Sequence, residues 1–157
     1  MKNFMIAAAL GAATLAPPAF ANDFAGPRLE VTAGADDVIK GVDPTDVTYG
    51  AGLGYDLQFG KVVVGVEATA DNVFDRRDVG VAGRLGYTIN DNVLLYGKVG
   101  YANWRQVRNV DTEGLRLGGG LEVNLAGPVY TKVEYRYTDF ERGLGKHGGL
   151  VGVGVRF

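Results

Sequence analysis

The chain has 157 residues, a formal net charge of −2 and a mean hydropathy of +0.02, with 46% hydrophobic and 22% charged residues. That is about one domain's worth of polymer, too apolar for disorder and with no positive charge excess to draw a nucleic-acid partner. Cysteine and serine are absent, which excludes disulfides, thiolate metal sites and serine or cysteine nucleophiles, while 25 glycines are more than twice the usual share of about 7%.

Residues 1–21 have the layout of a secretory signal peptide. Lys2 is the charged head, Phe4 to Leu15 the apolar stretch, Pro17-Pro18 the helix breaker and Ala19-Phe20-Ala21 the cleavage site. The 12 apolar residues are too few for a helix to cross about 30 Å of hydrocarbon. Cleavage before Asn22 is therefore expected to leave a single domain, 22–157.

From Arg28 onward apolar and polar residues alternate with period two, the signature of strands. Eight segments carry it: 27–35, 46–58, 61–70, 78–90, 93–104, 113–126, 129–141 and 146–157. Most run 9 to 14 residues, long for ordinary strands but suited to a tilted strand of about 9–11 residues crossing a membrane. Three connections, at Phe59-Gly60, Asn90-Asp91-Asn92 and Ala126-Gly127-Pro128, have tight-turn chemistry. The other four, 36–45, 71–77, 105–112 and 142–145, are longer and charged. Short turns alternating with long loops predict an all-β, eight-stranded antiparallel up-and-down transmembrane barrel, with both chain ends on the short-turn, periplasmic side.

The two faces of each strand indicate which side is inside. In the second segment Val47, Tyr49, Ala51, Leu53, Tyr55 and Leu57 oppose Thr48, Gly50, Gly52, Gly54, Asp56 and Gln58. A soluble periplasmic ligand-binding barrel would show the same period with its apolar face inward. However, glycine gathers on the polar face, where a solvated strand has no use for it and a narrow lumen does. Aromatics on the apolar face also gather at strand ends: Phe59, Tyr87 and Phe157 at one rim, Tyr49, Tyr101, Tyr135 and Tyr137 at the other. Such girdles mark the two membrane interfaces.

The segment Tyr49-Gly50-Ala51-Gly52-Leu53-Gly54-Tyr55 and the closing Gly152-Val153-Gly154-Val155-Arg156-Phe157 resemble the small outer-membrane beta-barrel family. This family includes the opacity-type porin family and the transmembrane domain of outer-membrane protein A. The resemblance implies a Gram-negative outer-membrane location, with membrane lipid and lipopolysaccharide as surroundings. It also implies a last strand read by the barrel-assembly machinery, for which Gly152, Val155 and Phe157 fit, while Leu150 stands where a polar residue is expected. The periplasmic peptidoglycan-binding domain of longer relatives is not expected. The expected state is a monomer.

On the inward face the pattern places Arg28, Arg84, Lys98, Arg116, Lys132, Arg136 and Arg156 against Glu30, Glu67, Glu122 and Glu134. Isolated charges in so narrow a space are costly, so paired networks that fill the barrel are expected. The alternative is a narrow porin-like path, mildly anion-favouring from the seven-to-four count. Related barrels that are enzymes, acyltransferases and deacylases, use Ser and His. Here Ser is missing and the single His147 stands beside Lys146 and Gly148, so a non-enzymatic protein without cofactor is expected. The glycine runs have no following helix to make a phosphate loop, and Asp36, Asp37, Asp43 and Asp46 lack calcium-ligand spacing. Arg76, Arg77, Arg105 and Arg108 fall near the outer rim, where they could contact lipopolysaccharide phosphates.

Overall fold

The alternating segments become eight antiparallel strands in a computed structural model, which describes residues 24–39, 46–72, 78–105, 111–140 and 144–157. They are β1 (Gly26–Ile39), β2 (Asp46–Phe59), β3 (Val62–Asp71), β4 (Asp78–Asn90), β5 (Val93–Arg105), β6 (Asp111–Ala126), β7 (Val129–Phe140) and β8 (Leu144–Arg156). Each pairs with its sequence neighbours, and β8 closes on β1 from Arg28↔Arg156 to Ile39↔Gly145. A closed barrel has no edge, so every strand's backbone groups find partners without water.

The tight turns fall where the sequence places them. Gly60 and Gly127 sit at φ 61° and 57°, a left-handed conformation open to glycine at little cost. At the middle turn the Asn92 amide donates to the Asn90 side-chain oxygen at 2.9 Å. The register shifts between Thr88 and Asn90 and between Asn124 and Ala126, beside two of these turns.

At the opposite rim the strands run further than expected. β1 continues to Ile39, β6 begins at Asp111 and β8 at Leu144, so the segments expected as loops at 36–45, 105–112 and 142–145 are partly strand. Beyond the lipid both faces of a strand meet water, so the alternation ends there, but the hydrogen-bond ladder continues because it needs only backbone. Asp71, expected to open a loop, is the last residue of β3 and faces inward, almost fully buried. Asn72 follows at φ 50°, its side chain accepting from the Tyr49 amide at 3.1 Å and donating to Thr48 Oγ1 at 2.9 Å.

The barrel is inverted relative to a soluble protein. Leu85, Val66 and Val133 are each 61% exposed on its outside, whereas Arg28 and Glu122, inside, are 2% and 0% exposed. The soluble ligand-binding barrel requires the opposite arrangement and is excluded. Tyr49, Tyr101 and Tyr135 stand exposed toward the long-connection rim and Phe59, Tyr87 and Phe157 toward the short-turn rim, as the girdle pattern requires.

Candidate functional site: the barrel lumen

All eleven charged residues expected inside are buried there: Arg28, Glu30, Glu67, Arg84, Lys98, Arg116, Glu122, Lys132, Glu134, Arg136 and Arg156. They are arranged in layers. Tilt and stagger put inward side chains from alternate strands at similar heights, and the ion pairs follow that rule.

The middle layer draws on the odd strands. Arg28 of β1 donates from Nη1 to Glu30 at 2.9 Å and from Nη2 to Glu67 of β3 at 2.6 Å. Lys98 of β5 reaches Glu67 at 2.6 Å and Glu134 of β7 at 2.7 Å. Lys132 of β7 reaches Glu134 at 3.2 Å and Glu30 at 2.5 Å. The circuit Arg28–Glu67–Lys98–Glu134–Lys132–Glu30 thus closes on itself with signs alternating. Tyr130 and Tyr96 add hydroxyl donors to Glu30 and Glu134, each at 2.8 Å.

The layer toward the short-turn end draws on the even strands. Asp56 of β2, Arg84 of β4, Glu122 of β6 and Arg156 of β8 form a second ring. Arg84 donates to Glu122 at 2.8 Å, and Arg156 donates to the other oxygen of Glu122. Asp56 closes the ring through ionic contacts of 3.6 Å to each arginine and accepts from Arg28 Nε at 3.0 Å, joining the two layers. Arg84 lies over the Tyr96 ring at 4.5 Å and Arg156 over Tyr130 at 4.9 Å, so aromatic faces take up part of the guanidinium surface.

A third cluster lies toward the long-connection rim. Arg116 donates to Asp78 at 2.6 Å and to Thr138 Oγ1 at 3.0 Å, and Arg136 donates to Asp71 at 2.6 Å. Lys146 approaches Asp78 at 4.0 Å.

Asp56, Asp71 and Asp78 correct the charge count. With them the fully buried charges among the described residues are seven acids and seven bases, which cancels the seven-to-four excess among those groups. Asp56 stood on the polar face of its strand and only needed counting. Asp71 and Asp78 lie at strand ends, where alternation is too short to assign a face, and their backbones pair directly across β3 and β4.

Glycine makes room for these side chains. A Cβ at Gly54 would stand 2.8 Å from the Arg28 guanidinium carbon, and one at Gly118 3.0 Å from Cγ and Cε of Lys98. Outward-facing Gly83 has nothing nearer than 4.0 Å.

Gly152 lines the lumen beside Lys132 and Thr32, Val155 faces outward, and Phe157 is exposed with its amide donating to the Pro27 carbonyl at 2.9 Å. Leu150 points inward and is buried. His147 lies within β8, its ring 6.1 Å from that of Tyr135 on the outer face. Arg76, Arg77, Arg108 and Asp43 lie outside the described residues. Asp36, Asp37, Asp46 and Arg105 are described in backbone only, within β1, β2 and β5.

Comparison with known proteins agrees with this geometry. The "22 kDa outer membrane protein" of Rhizobium leguminosarum bv. viciae is 32% identical over 144 residues, covering 70% of this chain and 68% of that protein. Among solved structures, Ail, the attachment invasion locus protein of Yersinia pestis, superposes with a TM-score of 0.61 at 18% identity, over 85% of this chain and all of that one. The outer membrane enzyme PagL superposes with a TM-score of 0.63 at 13% identity, over 83% of this chain and 99% of its own. At such identities the likeness is one of fold. The sequence model of the outer membrane protein beta-barrel domain matches residues 5–157. Charged lumen, apolar exterior and sequence match together place this chain in that outer-membrane beta-barrel family.

Proposed function

We propose that this protein is a sealed outer-membrane barrel whose role is structural or surface-interactive, exerted through its exterior and its long-connection rim. The observation that carries the reading is the pair of closed, charge-neutral rings across the lumen. An eight-stranded interior is just wide enough for side chains to fill, and these fill it. The protein reconstituted in planar bilayers should show no stable unitary conductance; discrete, reproducible steps would overturn the sealed reading in favour of a narrow channel.

The protein is read as non-enzymatic. The fold alone does not decide this, since PagL shares it, but the sequence has no serine and its single histidine packs against Tyr135 on the outer face of β8.

Lipopolysaccharide is the proposed partner at the outer rim, met by Arg76, Arg77, Arg105 and Arg108 through charge-assisted bonds to phosphate. Replacing all four by Gln should lower co-purified lipopolysaccharide; an unchanged amount would remove the proposal. The barrel-assembly machinery is the proposed reader of Gly152, Val155 and Phe157 during biogenesis.

A further inference from the structure

We infer that the residues just before β1 form an apolar stopper in the short-turn mouth of the lumen, with Phe24 as its head. The inference deepens the sealed-lumen reading. Phe24 lies outside every strand yet is 1% exposed, packed in a cluster with Val63, Leu94 and Tyr96. Val63 and Leu94 are themselves exceptions, since they occupy inward positions on β3 and β5 at 0% exposure, where the lumen above them is lined with charge. Inward valine and leucine on a strand whose outward face is also apolar break the alternation. They fit this site because an aromatic ring comes to meet them.

Two polar contacts hold the ring in place. The Phe24 amide donates to Gln58 Oε1 at 2.6 Å, and Gln58 Nε2 donates in turn to the Gly60 carbonyl in the first tight turn, at 2.8 Å. From above, the Arg156 guanidinium carbon lies 5.3 Å from the Phe24 ring centroid, so the stopper sits directly beneath the ring of even-strand charges.

The chain reaches this position through Gly26. Its φ of 115° is a conformation that residues with a side chain rarely adopt, and a Cβ there would collide with the Phe157 carbonyl oxygen. The turn inward is therefore made at the seam where the first and last strands meet. Its physical consequence is insulation. An apolar floor keeps periplasmic water from the Asp56–Arg84–Glu122–Arg156 ring, and ion pairs in a low-dielectric space attract more strongly than hydrated ones.

The absence of native cysteine permits a direct test. Val63→Cys, nearly isosteric, places one thiol in the floor of the full-length protein reconstituted in lipid vesicles. A membrane-impermeant maleimide is then supplied from the short-turn side. The thiol should react slowly with Phe24 present and about tenfold or more faster in Phe24→Ala, the factor expected when loss of a buried aromatic shifts a local opening equilibrium. Phe24→Leu should restore protection, since the stopper needs apolar bulk. Gln58→Ala, which loosens the hold on Phe24 while leaving the ring present, should give an intermediate rate. Heat-modifiable gel mobility, read on every variant, confirms that the barrel is closed. Equal labelling of Val63→Cys with and without Phe24, whether fast or slow, would overturn the stopper. Conductance reads the whole lumen and labelling only its short-turn mouth, so the sealed-lumen reading and the stopper can fail separately.

Discussion

Replacing Arg28 by Met should cost about 3–5 kcal/mol of unfolding free energy, the range found when one partner is removed from a buried ion pair. Arg28 touches three carboxylates, Glu30, Asp56 and Glu67, at 2.9, 3.0 and 2.6 Å, with no side-chain exposure on its own part. Methionine retains much of the volume but leaves those acids facing one another. The loss should therefore exceed that of any single acid neutralised in the same layer. Adding Glu67→Gln to Arg28→Met should recover part of it, because one orphaned charge is removed. Urea unfolding in lipid vesicles measures both. A cost below about 1 kcal/mol, the level of an exposed pair, would mean that the rings contribute little to stability.

Val99→Arg should destabilise by about 2–4 kcal/mol, the cost of a cation on the lipid face near the bilayer midplane. The site is informative because of its neighbour. Val99 is 53% exposed at the centre of β5, and Lys98, one residue earlier, is 7% exposed and paired with Glu67 and Glu134. A cation one residue away from an equally charged, well-tolerated lysine meets the opposite environment, since successive side chains point to opposite faces. The same urea titration reads it. If Val99→Arg unfolded within about 0.5 kcal/mol of the parent, as ordinary surface changes do, this face could not be in hydrocarbon.

The strands were legible because period two runs through most of each one. The tight turns were legible as well: Gly60 and Gly127 adopt left-handed conformations, and at the middle turn the Asn90 side chain accepts from the Asn92 amide. What lay at the strand ends was harder to read. Asp71 and Asp78 look like loop acids in a sequence and prove to be buried partners of Arg136 and Arg116. Phe24 lies between the leader-like segment and β1 and belongs to no strand, so periodicity had nothing to say about it.

Sequence alone determined that this chain forms an eight-stranded barrel, which face meets lipid, and that eleven strand positions bring charge into the lumen, because side-chain alternation along a strand is a local property. Only the tertiary structure decided who pairs with whom. Arg28 and Glu67 lie 39 residues apart, and Tyr130 and Glu30 lie 100 apart. Those contacts depend on strand tilt and on the registers that close the barrel, which set the height of each inward side chain. The same closure set seven buried acids against seven buried bases among the described residues, gathered odd and even strands into separate rings, and brought Phe24 beneath Arg156 at the seam of β1 and β8.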